Sequence, residues 1–180
     1  MKRLLLIFSL LCIIITTTHA QLVALKTNTL MDVALLPNVE VEIATGNKTS
    51  IALQAFGSMY VMGQHFKTLG AMPEFRYWIG GRPMIHLFMG IGLTATAYNI
   101  NWKGKHFKGD AAGAGLEFGY VKALSKRWNM EVSAGTQLTY YYQHMWYNGD
   151  SYNSKTHLKE NRGFKLLPYR IGLSFAYIIK

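Results

Sequence analysis

The sequence predicts an all-β fold, a closed, eight-stranded, antiparallel up-and-down barrel that crosses a membrane with its strands. Three observations carry this expectation. From Val23 onward about eight stretches place large apolar side chains at every second position, which is the period of a strand. Their connections alternate short (45–49, 80–83, 125–127) and long (63–70, 98–110, 144–163), the rhythm of a barrel with tight periplasmic turns and longer external loops. Half of the residues are hydrophobic, yet after Ile15 no apolar run reaches the roughly 20 residues that a spanning helix needs.

Residues 1–20 read as a cleavable signal peptide: Lys2-Arg3, an apolar run from Leu4 to Ile15, then Thr16-Thr17-Thr18-His19-Ala20 with cleavage after Ala20. The run is too short for a spanning helix. Cys12 lies inside it, so residues 21–180, expected to form one barrel domain, carry no cysteine and no disulfide. Lipidation of Cys12 is the competing reading; it sits poorly with the large Leu11 just before it.

The strands follow in order. The first runs from Val23 to Met31, and Asp32 to Pro37 is the first external loop. In the second, Asn38 to Ala44, Val39, Val41 and Ile43 alternate with Glu40 and Glu42, and Thr45-Gly46-Asn47-Lys48 turns the chain. The third, Ser50 to Tyr60, sets Ile51, Leu53 and Ala55 against Gln54. The fourth, Met72 to Ile79, sets Phe75, Tyr77 and Ile79 against Glu74, Arg76 and Trp78, with Pro73 near its start, where a missing amide costs least. After the turn Gly80-Gly81-Arg82-Pro83, the fifth, Met84 to Ala97, has Ile85, Leu87, Met89, Ile91 and Leu93 outward and His86, Phe88, Gly90, Gly92 and Thr94 inward. The sixth spans Ala111 to Leu124 and the seventh Trp128 to Gln143. In the closing strand, Pro168 to Lys180, Tyr169, Ile171, Leu173, Phe175, Tyr177 and Ile179 share one face.

Charge fixes which face looks where. Glu40, Glu42, Glu74, Glu117, Glu131, Arg76, Arg170 and Lys26 all take the inward phase. In a lipid-facing barrel they would line the lumen and pair with one another. An Arg or Lys facing lipid at mid-depth would instead cost roughly 2–4 kcal/mol. Eight strands enclose a space that side chains can fill, so a plugged lumen is expected, with the glycines of strands five and six making room. Tyr77, Tyr120, Trp128, Tyr169 and Tyr177 are expected near the periplasmic strand ends, and Tyr140 and Tyr142 near the external ends, where aromatic rings favour the interface.

The pattern Arg170, Gly172, Phe175, Tyr177 resembles the C-terminal signal by which outer-membrane barrels are handed to their insertion machinery. Leu25-Lys26-Thr27-Asn28, Pro37-Asn38-Val39-Glu40-Val41-Glu42, Pro73-Glu74-Phe75-Arg76-Tyr77-Trp78, Leu124-Ser125-Lys126-Arg127-Trp128-Asn129-Met130-Glu131 and Ile179-Lys180 together resemble a bacterial family catalogued as domain of unknown function 3575. That resemblance implies a small Gram-negative outer-membrane barrel, similar in shape to the OmpA/OmpX type, and no known activity.

Function is less legible. The formal net charge of +10 does not form a stripe along one element, which argues against nucleic acid. Lys103, Lys105 and Lys108, with Trp102 and Phe107, and Lys155, Lys159 and Arg162, after Trp146, Tyr147 and Tyr152, are expected in external loops. There the cations would meet lipopolysaccharide phosphates and the rings could stack on sugars; solvated basic loops are the plainer reading. His65, His86, His106, His144 and His157 show neither metal-ligand spacing nor a defined triad, so no catalytic residue, metal or cofactor is assigned. A monomeric barrel with a structural or surface-interaction role is the expectation. The alternatives are a soluble periplasmic barrel binding an apolar ligand, against which the inward glutamates stand, and a lipid A-modifying enzyme.

Overall fold

The computed structural model describes residues 22–61, 64–102, 104–147 and 159–179. Eight strands, β1 (Val23–Asn28), β2 (Asn38–Ala44), β3 (Thr49–Val61), β4 (Gln64–Trp78), β5 (His86–Trp102), β6 (Lys105–Ala123), β7 (Trp128–Tyr147) and β8 (Lys159–Ile178), pair antiparallel in chain order. β1 also pairs with β8, Ala24 opposite Ile178 and Asn28 opposite Ser174, so the sheet closes into a barrel, and β8 runs on past this seam paired with β7 alone. The wall is uneven: β1 has 6 residues and β8 has 20.

Alternation sorts the side chains as the sequence implies. Ile91, Leu93, Leu116, Phe118 and Val132 are exposed on the outside, and Glu74, Arg76, Glu117 and Glu131 are buried inside. Space for them comes from small residues on the facing strands. A Cβ on Gly90 would lie 2.4 Å from Glu74 Oε1, and one on Gly92 2.0 Å from the Tyr169 hydroxyl.

One end carries the short turns. There Ala24, Trp78, Met84, Phe88 and Val121 form an apolar floor, in which the Trp78 and Phe88 rings lie 5.0 Å apart. Trp78 Nε1 donates to Ser50 Oγ at 2.8 Å, and Asn129 Nδ2 to the Met84 carbonyl at 2.7 Å, so the polar atoms of this layer are satisfied. Charged residues fill the middle of the lumen, above that floor.

Several elements depart from the sequence expectation. Strand one stops at Asn28, whose side chain accepts from the Leu30 amide at 3.1 Å and so caps a short helix, α1 (Thr29–Val33). The stretch expected as the first loop is tied down: Asp32 accepts from Thr27 Oγ1 at 2.6 Å and from Asn38 Nδ2 at 2.9 Å. Residues 64–70 and most of 98–110 are strand rather than loop, pairing as far as Val61 with Gln64 and Trp102 with Lys105. Their polar composition suggested loops, but once a hairpin is started each further rung pairs two backbone groups whatever the outward side chains are. Likewise β8 begins at Lys159, well before Pro168.

Strand five begins at His86, not Met84. Positive φ angles at Met84 (65°) and His86 (67°) re-aim the chain, so Met84 drops into the floor and His86, expected inward, is exposed. Tyr169 was expected outward near a strand end and is instead buried in the lumen. Ala134 pairs with Ile171 but Thr136 with Pro168, so Gly135 faces two residues, Tyr169 and Arg170, and both point inward.

Candidate functional site

The middle of the lumen is an ion cluster assembled from six strands. β1 supplies Lys26, β2 Glu40 and Glu42, β4 Glu74 and Arg76, β6 Glu117, β7 Glu131 and β8 Arg170, each almost fully buried. The spacing of two within β2 and within β4 is what brings neighbouring carboxylates, or a carboxylate and a guanidinium, to one face.

Arg76 is the hub. Its Nε lies 2.7 Å from Glu74, Nη1 3.0 Å from Glu42 and 3.2 Å from Glu131, and Nη2 3.2 Å from Glu40, while its guanidinium sits 4.6 Å over the Phe88 ring. Lys26 Nζ contacts Glu42 and lies 2.6 Å from Glu131 and 3.5 Å from Glu40. Arg170 holds Glu40 at 2.8 Å and donates to Gln54 Oε1 at 3.0 Å. Glu117 is held at longer range, 3.6 Å from Arg170 and 3.9 Å from Arg76. Tyr169 donates to Glu74 Oε2 at 3.2 Å, and Ser50 donates to Glu42 Oε1 at 2.5 Å.

Chemically this is a scaffold. Glu40, Glu42, Glu74 and Glu131 are held by cations and hydroxyls of the barrel itself, and charge-assisted bonds among groups out of water fix their geometry. Among the described residues Glu117 has no hydrogen-bond partner on either oxygen and only the longer-range guanidinium groups near it. Among the described residues no three His, Cys, Asp or Glu side chains cluster as metal ligands would. The described histidines sit against rings: His106 stacks on Trp146 at 5.1 Å, His144 meets Tyr142 edge-on at 5.1 Å, and His86 lies 6.1 Å from Tyr120.

A family model described as protein of unknown function (DUF3575) matches residues 6–179, almost the whole chain. The chain belongs to this family. No curated protein and no solved structure matches it.

In this DUF3575 barrel the other residues singled out from the sequence do not gather into one place. Arg170 belongs to the lumen cluster and Gly172 faces Asn28 and Ser133 inside. On the outward phase, Tyr177 accepts from Arg127 at 3.1 Å and packs edge-on against Trp128 at 5.2 Å; Phe175 is half-buried. Lys105 and Lys108 lie on β6 and Arg162 on β8, not in loops. Lys105 Nζ sits 5.4 Å over the Tyr147 ring, and Lys165, which the sequence reading passed over, lies 5.0 Å over Tyr141. Lys103, Lys155 and the signal peptide 1–20 lie outside the described residues, as does the side chain of Lys159.

Tyr169 is the member of the cluster that the alternation assigned to the wrong face. The signal that could have found it is Gly135 on the neighbouring strand, where a Cβ would come within 2.4 Å of the Leu116 carbonyl. A glycine inside a strand often marks a bulge.

Proposed function

We propose that this protein is a monomeric outer-membrane β-barrel, exported through residues 1–20, with a structural or surface-interaction role. One observation carries the reading: the outer wall is apolar all the way round while the charge is inside. Leu25, Val41, Leu53, Phe75, Ile91, Leu116, Val132 and Ile171 stand exposed on successive strands, each 41–62% accessible. A water-soluble monomer rarely shows a contiguous apolar patch beyond a few hundred Å², whereas lipid demands both this belt and a closed sheet. Exposed Tyr77, Tyr120 and Trp128 toward the short-turn end and Tyr140, Tyr142 and Tyr147 toward the other support the same orientation. A soluble periplasmic barrel would leave that belt in water.

The long-hairpin end would then face outward, and its exposed Lys105, Arg162 and Lys165, among rings such as Trp146 and Tyr147, suit the phosphates and sugars of lipopolysaccharide. Cell fractionation tests the location. The protein should pellet with the outer membrane and migrate faster unboiled than boiled; recovery in the soluble periplasm would refute the reading. Reversing Lys105, Arg162 and Lys165 to glutamate should release bound lipopolysaccharide from the purified barrel, and unchanged retention would remove the surface-contact role.

A further inference from the structure

We propose that the half of the lumen above the ion cluster is a binding site for an uncharged apolar molecule carrying a hydroxyl group. The filling side chains stop at Arg170, Gln54 and Tyr169. Toward the long-hairpin end they leave a cavity of about 580 Å³, walled by Phe56, Met72, Ile100 and Leu167. That volume lies within the roughly 300–1,000 Å³ of small-molecule sites, and an apolar wall with a few placed polar groups is their usual character.

Three of the lining residues are polar, more than nine-tenths buried, and incompletely satisfied: Thr94, Gln137 and Arg170, whose Nε has, among the described residues, only Glu117 at 3.6 Å. Thr94 Oγ1 and Gln137 Oε1 have no hydrogen-bond partner among the described residues. They sit around Gly113, which pairs with Thr94 on β5, and whose Cβ would fall 2.9 Å from Gln137 Oε1. The Gln137 amide nitrogen is directed at the Pro168 carbonyl, at 3.5 Å, which leaves the oxygen as an acceptor. A buried acceptor without a partner is destabilising until a donor reaches it. A hydroxyl matches the pair, since it can donate to Gln137 and accept from Thr94. An anionic group is disfavoured, because Arg170, the cation of the cluster that lines the cavity, already holds Glu40 at 2.8 Å, and the floor beneath sets five carboxylates against three cations, Lys26, Arg76 and Arg170. The cavity also reaches Leu36 and the outward Ile171 beside the short first strand.

The test uses refolded protein in lipid nanodiscs with ¹³C-methyl methionine, titrated with 1-decanol and, separately, decane. Met72 lines the cavity and Met89 is exposed on the outer face. Saturable shifts of the Met72 signal are expected, beyond those of Met89, with about 5-fold tighter binding of the alcohol, the worth of one hydrogen bond. Gln137→Leu should remove that preference while decane still binds. Thr94→Phe, filling the cavity, should abolish both. Met72 shifts that merely track Met89 would overturn the site, as would undiminished binding in Thr94→Phe. Equal affinity for alcohol and alkane in the parent protein would overturn the hydroxyl recognition.

Discussion

Replacing Arg76 with methionine tests the lumen scaffold at its hub. The guanidinium lies within 3.2 Å of Glu74, Glu42, Glu40 and Glu131, and methionine keeps much of the volume while removing every donor. Each charge-assisted bond is worth about 1.5–3 kcal/mol, but the four do not add, because Lys26 and Arg170 share Glu42, Glu131 and Glu40. The safer scale is that of one buried pair broken by losing a partner, about 3–5 kcal/mol. With a urea slope of about 2 kcal/mol/M, a loss near 4 kcal/mol moves the unfolding midpoint down by about 2 M. Urea titration of the barrel refolded into vesicles, followed by the unboiled gel shift, reads this directly. Glu74 depends chiefly on Arg76, with Arg170 no closer than 3.8 Å. Arg76→Met combined with Glu74→Gln should therefore be more stable than additivity predicts by at least about 1 kcal/mol. A loss below about 1 kcal/mol for the single variant, or strict additivity in the double, would refute the scaffold reasoning.

Three further outcomes are expected in the same assay. Tyr169→Phe removes the hydroxyl donated to Glu74 and should lower stability by about 1–2 kcal/mol; no change would mean the bond is not made. Gly92→Val would drive side-chain atoms into the Tyr169 hydroxyl and the Pro73 carbonyl and should cost about 1–3 kcal/mol; a neutral outcome would show that the lumen is loosely filled there. Leu93→Arg, on the outer face of β5, should cost about 2–4 kcal/mol in a bilayer, against within about 0.5 kcal/mol for an ordinary water-exposed site.

Strand number, order and inward set were legible because one rule, the period of two, is imposed on every strand by a wall with different surroundings on its two sides. That rule placed Glu40, Glu42, Glu74, Arg76, Glu117 and Glu131 in the same phase without any knowledge of their distances. It failed at Tyr169, where a bulge inserts one residue and reverses the phase of everything before it in β8. It failed again at His86, because the positive φ angles at Met84 and His86 that turn this side chain out carry no mark in the residue types themselves. The strand extensions through 64–70 and 98–110 were hidden because polar residues serve a solvated strand as well as a loop. The cavity was not legible at all. Phe56, Met72, Ile100 and Leu167 come from β3, β4, β5 and β8, and a void between strands is a property of packing, not of any segment.

The question on which the rest turns is what touches the outer wall. Nitroxides attached through cysteines introduced at Ile91, Leu93, Leu116, Phe118 and Val132, in protein reconstituted into lipid vesicles, measure this by collision with oxygen and with a water-soluble nickel chelate. Lipid contact predicts frequent oxygen and rare nickel collisions at all five positions. Nickel collision rates matching those of a fully water-exposed label at these positions would contradict it.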